Sequence, residues 1–112
     1  MEQFIFSKSL PETAIAKRLC IPIDKLNQFP PFVGGNRIQN LIVEDMEEQG
    51  VLWNLRFYVQ DNGKQPVLAG QWKDFVKRKQ LQVGDGVLFY RNIDANGQVT
   101  YKMRPFRNLM GV

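Results

Sequence analysis

From Val51 to Gln60 the chain changes side-chain character at every second residue. Trp53, Leu55, Phe57 and Val59 fall on one face of an extended chain, and Asn54, Arg56, Tyr58 and Gln60 fall on the other. A period of two fits a half-buried strand and excludes a helix. It requires a sheet that covers a core on one side and can hydrogen-bond or carry charge on the other. The flanking residues extend that sheet. Ile38 to Val43 reads as a partner strand, and Glu44 to Gly50 as a polar turn, which makes a hairpin with an acidic tip. Asp61-Asn62-Gly63 is a strong turn signal, after which Pro66 to Ala69 returns as a short strand. Trp72, Phe75 and Val76 stand at helical spacing and belong in the core, with Lys73, Lys77 and Arg78 on the wet side. Gly84-Asp85-Gly86 turns the chain into a strand from Val87 to Arg91, and Asn96-Gly97 marks a last hairpin ending in Val99 to Arg104.

The N-terminal third is less regular. Phe4-Ile5-Phe6 reads as an edge strand. Ser9-Leu10-Pro11-Glu12 fits a capping box, in which the serine oxygen takes a first-turn amide and the glutamate reaches back. Ile15 and Leu19 then lie one turn apart on a short helix facing the core, which Ile21-Pro22 ends. Asp24 to Asn36 is expected to be irregular, because Pro30-Pro31 and Gly34-Gly35 interrupt it. Short strands at even spacing with two short helices indicate a mainly β, barrel-like fold, one domain over residues 1–112.

Composition removes several function classes. Cys20 is the single cysteine and histidine is absent, so neither an internal disulfide nor a structural zinc site is expected. The two serines have no histidine to activate them, and no phosphate-cradling GxxxxGK[ST] occurs. The expectation is no catalysis, no cofactor and no metal. Glu44-Asp45 and Glu47-Glu48 read as a solvated hairpin tip rather than a cation site. No apolar run approaches the ~20 residues of a membrane span, and the MEQFIFSK start is not a secretory signal. A soluble, intracellular chain without a membrane partner is expected. The net charge of +4 is unevenly spread: Ile38 to Gly63 holds one basic and five acidic residues, and Lys64 to Val112 nine basic and three acidic. Such a distribution suits a polyanion on one face, although the net charge alone fits any unevenly charged surface. Lys77-Arg78-Lys79 reads as the exposed end of a helix.

Three pieces of the chain, taken in order, resemble the plant B3 DNA-binding domain family. F-S-K-S-L and R-L-C-I-P (Phe6 to Leu10, Arg18 to Pro22) look like its opening. V-E-D followed by G-V-L-W-N-L-R-F resembles its central hairpin. A-G-Q-W-K-D-F-V-K-R-K-Q-L-Q-V-G-D-G-V-L-F resembles its best-marked signature. The resemblance runs from Phe4 to about Arg104. It implies a seven-stranded open β-pseudobarrel with two short α-helices, the nuclear DNA-binding domain of a plant transcription factor. It also implies that two arms grip double-stranded DNA in the major groove. Carried onto this chain, the N-terminal arm presents Lys8, Ser9, Thr13, Lys17 and Arg18. The second presents Arg56, Gln60, Asn62, Gly63, Lys64 and Gln65. Where many members have Thr-Pro-Ser-Asp-Val, this chain has Leu10 to Ile15 without the serine-aspartate pair, which looks closer to the reproductive-meristem type.

These residue types suit the task on physical grounds. Arginine grips guanine N7 and O6 with two bonds, and asparagine or glutamine does the same with adenine. Lysine and backbone amides hold phosphate and set register, and Gly63 lets the backbone approach closely. Each has a plainer reading. Asn62 and Gly63 can be turn formers, Gln60, Lys64 and Gln65 solvated loop residues, and Lys8 and Arg18 surface charges beside the helix. Two other functions remain open: a protein-interaction module on the same scaffold, using the acidic tip, and the recognition domain of a restriction endonuclease. The domain is expected to act as a monomer.

Overall fold

In the computed structural model, which describes residues 1–35, 37–59 and 65–108, one seven-stranded sheet curls into an open half-barrel. The elements in chain order are β1 (Glu2–Ser9), α1 (Glu12–Ala16), β2 (Leu19–Cys20), a 3₁₀ turn (Ile23–Gln28), β3 (Ile38–Asp45), β4 (Leu52–Val59), β5 (Pro66–Gly70), α2 (Trp72–Arg78), β6 (Gly86–Ile93) and β7 (Val99–Phe106). Their order across the sheet is β1-β6-β7-β3-β4-β5-β2, so β1 and β2 are the two free edges. Neighbours are antiparallel except β3 and β7, which run parallel from Val43 opposite Tyr101 to Asp45 opposite Met103. Among the described residues no helix is long and apolar enough to cross a membrane.

The alternation in β4 does what its period dictates. Trp53, Leu55 and Phe57 are buried while Asn54 and Arg56 are exposed. Trp72, Phe75 and Val76 of α2 close over them, with the Trp53 and Phe75 rings edge to face at 5.6 Å. Phe29, in the stretch expected to be irregular, enters the barrel and stacks on Tyr101 at 5.6 Å, while Phe6 stacks on Phe89 at 5.1 Å. Each such ring removed from water contributes about 2–3 kcal/mol before entropy is counted. The Tyr101 hydroxyl donates to the Gln28 carbonyl at 3.1 Å, which fixes the 3₁₀ turn to β7.

Four sequence expectations are corrected. Ser9 caps no helix: it is still in β1, opposite Gly86, and α1 begins after an extended Pro11 with no side-chain cap. The Pro11 carbonyl instead accepts the Ala14 and Ile15 amides at 3.0 and 3.2 Å. Leu19 is buried not on a helix but in β2, opposite Leu68, because α1 stops at Ala16. Part of the irregular segment is the 3₁₀ turn. Finally, the acidic tip and the basic run are not both solvated. Lys79 is buried, and its Nζ lies 3.0 Å from Asp45 Oδ2, 3.2 Å from Glu47 Oε1 and 2.8 Å from Glu48 Oε2. Asp45, also buried, accepts the Trp53 indole N–H at 3.0 Å and the Glu47 and Glu48 amides at 2.8 and 3.0 Å. Three of the four carboxylates weighed as a cation site, Asp45, Glu47 and Glu48, are thus held by cations of the chain itself.

Gly70 ends β5 with φ +67°, and a Cβ there would lie 2.9 Å from the Arg56 amide nitrogen and 3.1 Å from the Asn54 carbonyl oxygen. Both neighbours are backbone of β4, which cannot swing aside as the end of a flexible side chain would. Gly70→Ala is expected to cost at least ~2 kcal/mol, from left-handed strain together with the clash. A thermal melt checks it: a midpoint within a degree or two of the parent would show that β4 and β5 yield there.

Candidate nucleic-acid interface

The N-terminal arm leaves the sheet at the end of β1 and returns at β2, on the opposite free edge. Its outgoing end is fixed by the Gly84-Asp85-Gly86 turn. The Leu10 amide donates to the Asp85 carbonyl at 2.7 Å, and the Gly84 amide to the Leu10 carbonyl at 3.1 Å. That turn is held in its own right by the Asp85 carboxylate. It accepts the Asn108 and Gln82 amides, both at 2.8 Å, and these bonds draw its pKa below the ordinary carboxylate value. The middle of the arm is held by α2, whose Trp72 indole N–H donates to the Ala14 carbonyl at 2.7 Å. Trp72 is fully buried, so its one polar atom needs this partner. The returning end is fixed where the Ile21 amide donates to the Pro66 carbonyl at 2.9 Å.

On this frame Ser9, Thr13 and Lys17 are exposed and Arg18 is half-buried. The Thr13 carbonyl accepts the Lys17 and Arg18 amides at 2.8 and 3.2 Å, so the last turn of the arm is closed by its own backbone. Lys8 is different. It is half-buried, and its Nζ donates to the Cys20 carbonyl at 2.8 Å, joining β1 to β2.

The second arm lies between β4 and β5. Gln60, Asn62, Gly63 and Lys64 lie outside the described residues. Gln65 is half-buried, and its Nε2 donates to the Ile21 carbonyl at 2.8 Å. Arg56 projects from the outer face of β4, between Asn40 of β3 and Ala69 of β5. It stands three residues from Val59, opposite Pro66, and so roughly 10 Å along the strand from the mouth of that arm.

The sheet therefore brings the Lys8, Cys20-Ile21 and Gln65 bases of the two arms together, while Arg56 stands apart on the face beside them. Sequence reasoning found the exposed arginine through the period-two pattern. It missed the structural use of Lys8 and Gln65, because the acceptors are backbone carbonyls of β2 and its continuation, and carbonyls leave no mark in a sequence. It likewise missed Trp72 as the residue that holds the arm helix, although a buried tryptophan always raises the question of where its N–H goes.

The model of the B3 DNA binding domain matches residues 6–107. B3 domain-containing transcription factor NGA4 of Arabidopsis thaliana is 33% identical over 86% of this chain and 29% of its own length. For B3 domain-containing transcription factor NGA3 of the same plant the values are 24%, 97% and 32%. The chain thus spans about a third of the length of these curated relatives. The solved structure of the Arabidopsis FUS3–DNA complex superposes with a TM-score of 0.72 at 21% identity, covering 94% of this chain and 98% of that one. At that identity the superposition establishes the fold: the seven-stranded open pseudobarrel.

Proposed function

Because the chain belongs to the B3 DNA-binding domain family, we propose that it binds double-stranded DNA selectively through its two arms, as the DNA-reading domain of a plant transcription factor. The family match over residues 6–107 carries this reading. The two arm bases, tied to each other, support it. So does the FUS3 protein of the same fold, which was solved as a complex with DNA. In this reading Arg56, Gln60 and Asn62 present forked donors and acceptors to base edges. Thr13, Ser9, Lys17, Arg18 and Lys64 face phosphates and set register, and Gly63 lets the second arm approach closely. The domain performs no chemical step, and its place of action is the nucleus.

Selection from a random duplex library at moderate salt tests this. Enrichment of one motif is expected. Even recovery of every sequence would mean phosphate binding without reading, and recovery of none would end the proposal.

A further inference from the structure

The half-barrel has an open seam, because β1 and β2 are the two ends of the strand order and share no ladder. One side-chain bond crosses it: Lys8 reaches from β1 to the Cys20 carbonyl on β2. One residue further on, the Ile21 carbonyl receives the Gln65 amide from the foot of β5, the strand paired with β2. Lys8, Cys20, Ile21 and Gln65 thus form a continuous tie. It runs from the outgoing foot of the first arm, through its returning foot, to the returning foot of the second. Both side chains are half-buried, and both bonds are 2.8 Å long.

We propose that Lys8 and Gln65 are positioning residues: Lys8 fixes the first arm's outgoing foot across the seam, Gln65 anchors the second arm's foot to the first arm's returning foot, and neither gives its polar group to DNA. This rests on the DNA-binding reading above and reassigns two residues that the family resemblance offered as DNA contacts. A DNA reader needs its two arms at one separation, since displaced arms cannot meet adjacent base edges together. Phosphate attraction tolerates such displacement. The tie therefore governs selectivity more than overall attraction.

The experiment measures binding of the intact chain to the enriched duplex and to a scrambled one, across a salt series. Parent, Lys8→Met, Lys8→Arg and Gln65→Ala are compared. Lys8→Met and Gln65→Ala are each expected to lower the preference for the enriched duplex about tenfold, the scale of one lost base contact. The slope of log affinity against log salt should stay at the parent value. Lys8→Arg, which can still donate to the Cys20 carbonyl, should restore the preference. A slope reduced by about 0.9, with equal loss on both duplexes, would identify Lys8 as a phosphate contact and overturn the proposal. Unchanged preference in both variants would overturn it too. Should Lys8→Met fail to fold, Gln65→Ala carries the same expectation, since it leaves β1 untouched. A parent chain that binds neither duplex would instead remove the DNA reading itself.

Discussion

Lys79→Met is expected to lower the unfolding free energy by about 3 kcal/mol at pH 7, the scale of breaking a buried ion pair while leaving one partner in place. The Lys79 side chain is 5% exposed and that of Asp45 is wholly covered. Methionine fills the same channel but leaves the Asp45 carboxylate without its cation. Burial by itself would push Lys79 down and Asp45 up. The bonds from Glu48, Asp45 and Glu47 to the ammonium, and from Trp53, Lys79 and two amides to the Asp45 carboxylate, reverse both directions. Glu48 is drawn down to about 2, by Arg78 first and Lys79 second. The sign follows. Carboxylates whose folded pKa lies below the unfolded value stabilise the fold above about pH 4.5 and lose that contribution as pH falls toward 2. In Lys79→Met the folded pKa of Asp45 rises, so less stability is lost with acid. The gap between parent and variant should narrow below pH 4.5. Urea unfolding at pH 7 and pH 3 reads both effects. Arg78→Ala, which removes the exposed partner of Glu48, should cost far less, because solvent screens an exposed pair. Equal costs for the two replacements would mean that burial is not what gives Lys79 its weight.

That cluster also marks the boundary of what a sequence reveals. The β4 strand was legible because a period of two has one physical meaning, and the Trp72, Phe75, Val76 face of α2 was legible at helical spacing. Within Lys77-Arg78-Lys79 the first two are exposed as read, and only Lys79 was misread, because adjacent cations default to solvent. Only the hairpin that brings Asp45, Glu47 and Glu48 beneath the end of α2 makes the interior possible for Lys79. The box at Ser9 to Glu12 had the right residues at the right spacing. The ladder with β6 engages Ser9 instead, opposite Gly86. In the candidate site, the exposed position of Arg56 followed from alternation alone. The roles of Lys8 and Gln65 did not: the first depends on the curl of the sheet bringing its two edges together, the second on β5 pairing with β2. Local chemistry thus picked out residues whose types suit DNA, and long-range topology decided which of them the scaffold engages.

Raising salt from 50 to 200 mM is expected to weaken duplex binding roughly fortyfold. This follows if three arm cations, Lys17, Arg18 and Lys64, each neutralise one phosphate at a slope of about −0.9 per contact. The acids of this chain do not cancel that attraction as its composition suggests. Asp45, Glu47 and Glu48 are bound to Lys79, with Arg78 and Arg107 completing the cluster at the other end of the β3–β4 hairpin. That cluster sets three acids against three cations and is neutral in sum, so the chain's +4 is carried by the residues outside it. Two replacements separate attraction from reading. Lys17→Gln should weaken every duplex alike and reduce the slope by about one contact. Arg56→Gln, if the guanidinium grips a guanine, should cost ~1–3 kcal/mol on the enriched motif and little on a scrambled duplex. Identical behaviour of the two variants would reduce Arg56 to one more phosphate contact and move base reading to the arms alone. A parent slope near zero would exclude a polyanion from this face altogether, because no sum of exposed lysines and arginines on DNA escapes counterion release.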